Sequence, residues 1–141
     1  MIVNLHGYVD RNGQIIFDLV PLYFSGNETV HVNEVFMSYS NKLSYINGFI
    51  TTSLIDKSSV NQRQNLLFLH QDSKNSKHLY YSPTHVPKYK IGAQSLQSAT
   101  FKIALFEGTE KVSFSKTTID IYLQLEIETN ARILDKSSKA F

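Results

Sequence analysis

Near the end of the chain, Ile119, Ile121, Leu123, Leu125 and Ile127 alternate with Asp120, Tyr122, Gln124, Glu126 and Glu128. A period of two puts one face of a strand on a core and the other in water, whereas a helix would scatter these apolar side chains around its axis. Upstream, Phe101, Ile103 and Leu105 alternate with Thr100, Lys102 and Ala104 in the same way. Glu107-Gly108-Thr109-Glu110 reads as a turn, after which Val112 and Phe114 resume the alternation in a short strand.

The front half follows the same rhythm. Leu5 to Val9 and Ile15 to Val20 flank Asp10-Arg11-Asn12-Gly13, a hairpin turn whose Asn-Gly adopts positive φ cheaply. Pro21 ends the second of these strands, since it cannot donate to a ladder. Val30 and Val32 share one phase while Val35, Met37 and Tyr39 share the other, which predicts a β-bulge at Asn33-Glu34. Asn47-Gly48 lies between Leu43–Ile46 and Phe49–Ile55, giving either a further hairpin or one kinked strand. Leu66 to His70 reads as a buried strand. His78 to Tyr81 reads as a short strand inside an irregular stretch punctuated by Pro83 and Pro87.

These segments amount to about eight strands at spacings of 8 to 15 residues, with no helix, no repeat and no domain boundary. The predicted fold class is all-β: an antiparallel β-sandwich, a single jelly roll of about eight strands. The sandwich domain is expected over residues 1–128 and a polar, flexible tail over 129–141, where Lys136-Ser137-Ser138-Lys139 breaks the apolar pattern.

Composition narrows the picture. A chain of 141 residues is the usual size of one domain, large enough to bury roughly 68–70% of its unfolded surface without staples. Cysteine is absent, so disulfides and thiolate metal sites are excluded. The net charge of +2 is too small to demand a nucleic-acid partner. No run approaches the roughly 18 apolar residues of a membrane-spanning helix. Met1-Ile2-Val3-Asn4-Leu5-His6 lacks the features of a signal peptide, so synthesis in a host cytoplasm without secretion is expected.

Candidate chemistry is sparse. No G-x-S-x-G motif is present, the glycines are dispersed rather than gathered in a phosphate loop, and no pair of the five histidines has ligand spacing. His70, His78 and His85 border one loop, but singly hydrogen-bonded roles account for them. Glu126 and Glu128 share a strand face that belongs to solvent rather than to acid–base work. No catalytic, metal-binding or cofactor-binding residue is assigned, and no enzyme activity is expected. More suggestive is the stretch in which Lys74, Lys77, Lys88 and Lys90 interleave with Tyr80, Tyr81 and Tyr89, without an acidic residue. Lysine supplies charge for a phosphate or acidic surface, and tyrosine supplies a flat face for a base or sugar. This stretch is the candidate partner contact, for a glycan or a nucleic acid, against the plainer reading of a solvated loop covering the core edge.

Thr51-Thr52-Ser53-Leu54-Ile55-Asp56, Asn65–Leu69, Pro87-Lys88-Tyr89-Lys90-Ile91, Leu96–Ile103, Phe106-Glu107-Gly108 and Ile119–Leu125 follow one another in a familiar order. This order resembles the jelly-roll capsid and vertex proteins, penton-like or minor capsid, of Polinton-like, virophage-like and adeno-like DNA viruses and transposons. In that group a polar approach ending in tyrosine leads to a strand with an acidic-Gly turn, before a final amphipathic strand. The likeness spans residues 30 to 127 as a rhythm of positions, and the chain is shorter than a usual penton. The resemblance implies a non-enzymatic structural protein, located in the virion, that self-assembles as a trimer or pentamer beside other capsid proteins. Solvent-directed aromatics such as Tyr122 are then candidates for the assembly contacts.

Overall fold

The computed structural model describes residues 1–18, 21–56 and 64–129. Its strands are β1 (Ile2–Val9), β2 (Ile15–Phe17), β3 (Tyr23–Phe24), β4 (Glu28–Leu43), β5 (Ile46–Thr52) and β6 (Asn65–Gln71). They continue with β7 (Ser76–Tyr81), β8 (Tyr89–Lys90), β9 (Gln94–Ser95), β10 (Phe101–Glu107), β11 (Glu110–Lys111) and β12 (Ile119–Thr129). One sheet runs β2-β1-β12-β4-β7, with β8 added to β4; a second runs β11-β10-β5-β6; β3 and β9 form a small ribbon. Every pairing is antiparallel. A 3-10 turn at Leu96–Ser98 is the one helical element among the described residues. The chain is therefore all-β, built of antiparallel sheets.

Alternation explains which face is which. In β12, Ile119, Ile121, Leu123, Leu125 and Ile127 are buried while the residues between them are partly or fully exposed. Leu5, Val35, Met37 and Leu123 from the first sheet join Ile50, Leu69, Ile103 and Leu105 from the second in one buried cluster. Burying each such side chain stabilises the fold by about 1.5–3 kcal/mol relative to leaving it exposed. Each sheet thus spends one face on a shared core and turns the other outwards.

The phase slip in β4 is a bulge. Glu34 opposes Gln124 and Val32 opposes Leu125, so Asn33 is the extra residue. Its side-chain amide donates to Gln124 Oε1 at 3.1 Å and Glu126 Oε2 at 3.2 Å, tying the bulge to the neighbouring strand. The first hairpin forms at Asp10–Gly13, where Gly13 has a φ of 83° and Asp10 Oδ1 accepts the N–H groups of Asn12 and Gln14 at 2.9 Å.

Other segments differ from the pattern. Of the two readings of Asn47-Gly48 the single strand holds, because the dipeptide is the interior of β5, although the strand begins only at Ile46. The turn falls earlier, at Ser44-Tyr45, where Tyr45 takes a φ of 53° as the chain leaves one sheet for the other. Gly48 is required for another reason: a Cβ there would lie 2.2 Å from the Ala104 carbonyl oxygen of β10. Val112 and Phe114 are buried, yet regular pairing stops at Lys111. Val112 N–H still bonds the Leu105 carbonyl oxygen, whereas Lys116 and Thr117 N–H groups bond the Ser113 carbonyl oxygen, so Phe114 reaches the core from a turn. The second strand, expected to reach Val20, is seen to Phe17; Leu19 and Val20 lie outside the described residues. Thr129 ends β12, and the rest of the expected tail also lies outside them. No helix among the described residues is long and apolar enough to cross a membrane.

Candidate functional site

The Lys/Tyr stretch is divided by strand geometry. Successive residues of β7 point to opposite faces, so Tyr80 stands outside the first sheet while Tyr81 packs half-buried against the core. Tyr89 is also half-buried against the core, and that burial raises its hydroxyl pKa. Tyr81 and Tyr89 meet in a groove of about 200 Å³, with Leu67, Pro83, His85 and Pro87. Lys88 is held by Glu128 at 2.9 Å, and this contact depresses the Glu128 carboxyl pKa despite the opposing cost of burial. Lys74, Lys77 and Lys90 are exposed. Lys90 opposes Thr29 of β4 whereas His78 opposes Ser38. Those positions are separated by roughly 30 Å of strand at about 3.3 Å per residue. The cations therefore do not gather on one surface.

The register of the first sheet assembles something different. His6 opposes Tyr122, Tyr122 opposes Phe36, and Phe36 opposes Tyr80, so one ring-bearing side chain from each of four strands stands in a single row. On one side lies a row of Tyr8, Asp120, Ser38 and His78; on the other lie Asn4, Gln124 and Glu34. The rings touch: His6 and Tyr122 centroids are 4.8 Å apart, and His78 stacks on Phe36 at 5.9 Å. The Tyr122 hydroxyl donates to Asn4 Oδ1 at 2.8 Å, and Tyr80 donates to Glu34 Oε2 at 2.8 Å. Both tyrosines are thus tied to a residue outside their own row. The bond to the Glu34 carboxylate also raises the Tyr80 pKa, because losing the proton would set two anions side by side. Phe36 is 40% exposed and Tyr80 61%, values that are costly for aromatic side chains left in water. None of these three rows contains a lysine or arginine, and beyond them Glu126 adds a third carboxylate.

The outward face of the second sheet is also apolar but carries the opposite charge. Phe49 opposes Phe68 and Ala104, with the Phe49 and Phe68 rings 6.3 Å apart. Phe68 is 62% exposed. In the next row Phe106 opposes Lys111, and on the far side Lys102 opposes Thr51. Arg11 lies near Lys111 across a groove that also includes Asn12 and Phe114. His70, at the edge of this face, is engaged by Asp72 at 2.9 Å.

Of the aromatics on these faces, only Tyr122 and Tyr80 stand out from sequence. Phe36, His6, Phe49, Phe68 and Phe106 carry a usable signal, being rings in the polar phase of an alternating segment. Among the described residues no group of three or more His, Asp or Glu side chains is placed to hold a metal ion. Compared with known protein families, with characterised proteins and with solved structures, the chain matches none.

Proposed function

We propose that this chain is a non-catalytic structural protein, a single jelly roll that self-assembles as a capsid or vertex component of a DNA virus or virus-derived element. The observation that carries the reading is the strand order. With β1, β2, β4, β5, β6, β7, β10 and β12 counted as first to eighth, one sheet runs second, first, eighth, third, sixth. The other runs seventh, fourth, fifth. The second strand is joined to the seventh by the Gln14–Lys102 bridge and by the Ile103 N–H to Gly13 oxygen bond of 2.8 Å. The third, sixth and eighth strands thus lie in one layer and the fourth, fifth and seventh in the other, and these repeated crossings support a double Greek key, the plan of many capsid domains. The remaining short strands are additions at the margins.

A fold by itself does not specify a task, so the surfaces supply the second support. Exposed phenylalanines on both outward faces suit burial against other protein. The expected assembly is a trimer or pentamer in a virion, beside other capsid proteins. A glycan or nucleic-acid role for the Lys74–Lys90 segment has less support, since Tyr80 faces away from Tyr81 and Tyr89 and Lys88 is already paired. Sedimentation of the purified chain tests the reading. A discrete oligomer is expected, and a strictly monomeric species at high concentration would rule it out.

A further inference from the structure

We infer that the two outward faces are the two halves of one interface, so that the first sheet of one copy docks on the second sheet of the next. This inference rests on the assembly reading above and specifies its geometry. The occupant of each face is a second copy of this chain, and charge selects it. Glu34, Asp120 and Glu126 stand on the first face, whose three central rows contain no lysine or arginine; Lys90 joins the face only at its far end, opposite Thr29. Lys102 and Lys111 stand on the other, and Arg11 shares a groove with Lys111 at its margin. Asp120, Lys102 and Lys111 have no ion-pair partner among the described residues. Each face also exposes a phenylalanine, Phe36 on the inner strand β4 of one and Phe68 on the edge strand β6 of the other, so apolar contact and charge pairing fall on the same two faces.

A two-fold dimer through either face would set like charges against each other, which costs rather than contributes. Pairing unlike faces removes that conflict. Because the two faces lie on opposite sides of one shared core, docking one copy leaves a free first-sheet face at one end and a free second-sheet face at the other. Such a contact propagates, and it ends in a closed ring where the rotation per copy allows closure. Acidic side chains on the aromatic face also argue against a phosphate-bearing ligand there.

Phe36→Asp and Phe68→Asp test the pairing by complementation. Both side chains already meet solvent, and a circular dichroism spectrum checks that each variant remains folded. Each variant alone is expected to sediment as a monomer, because every possible contact then involves one spoiled face. Mixed in equal amounts, they are expected to form a dimer of one copy each, through the intact first sheet of Phe68→Asp and the intact second sheet of Phe36→Asp. A mixture that stays monomeric, or a Phe68→Asp variant that assembles like the wild type, would overturn the proposal. A monomeric wild type would instead sink the assembly reading itself. If either phenylalanine variant fails to fold, Asp120→Lys and Lys102→Asp serve instead. Each alone is expected to stay monomeric, and the two mixed are expected to assemble, because the reversed charges pair with each other as the native ones do; a mixture that stays monomeric would overturn the proposal.

Discussion

Tyr39 sits on the inward face of β4 with 5% of its surface exposed, and its hydroxyl has no hydrogen-bond partner among the described residues. Burial alone holds its pKa far above the ordinary tyrosine value. An unpaired hydroxyl in a core costs about 1–3 kcal/mol of desolvation that nothing returns. Tyr39→Phe is therefore expected to stabilise the fold by about 1 kcal/mol, read as a higher urea midpoint at unchanged slope. A lower midpoint would mean that the hydroxyl is satisfied. Sequence placed Tyr39 correctly in the apolar phase with Val35 and Met37. It held no information on the hydroxyl, because a partner would have to come from another part of the chain.

Among elements, strands with strict alternation were the most legible. The run from Ile119 to Ile127 became β12, and the phase slip between Val32 and Val35 became the Asn33 bulge. Both rest on local periodicity, which a sheet face imposes directly. Asn47-Gly48 shows the limit of local reading. The dipeptide favours a hairpin, yet β5 runs through it because the β10 backbone needs the space that a side chain would fill. Gly48→Ala should cost about 1–3 kcal/mol through displacement of β10, seen as a lower unfolding midpoint. A wild-type midpoint would show that the strands part without strain. Val112 and Phe114 carry the opposite lesson, since apolar alternation marks burial and burial does not require a strand.

At the scale of the molecule, the two sheets expose more aromatic surface than their shared core can use. If copies bury that surface against one another, association stabilises the folded state by mass action, and the melting temperature rises with protein concentration. The wild type is expected to show this rise and Phe68→Asp to lose it. A concentration-independent wild-type melt would place the stability within the single chain. The face itself was illegible in sequence, because its central row draws His6, Phe36, Tyr80 and Tyr122 from four distant segments. Only hydrogen-bond register between strands brings them level.

Alternation along the chain was enough to determine that the protein is all-β, where most strands lie and which side chains turn inwards, because that pattern answers to the two faces of a single strand. Which strands are neighbours, which rings line up across them and which charges share a surface were decided by the packed sheets alone. Those relations join residues such as Asn4 and Tyr122, 118 positions apart, and no local preference encodes them.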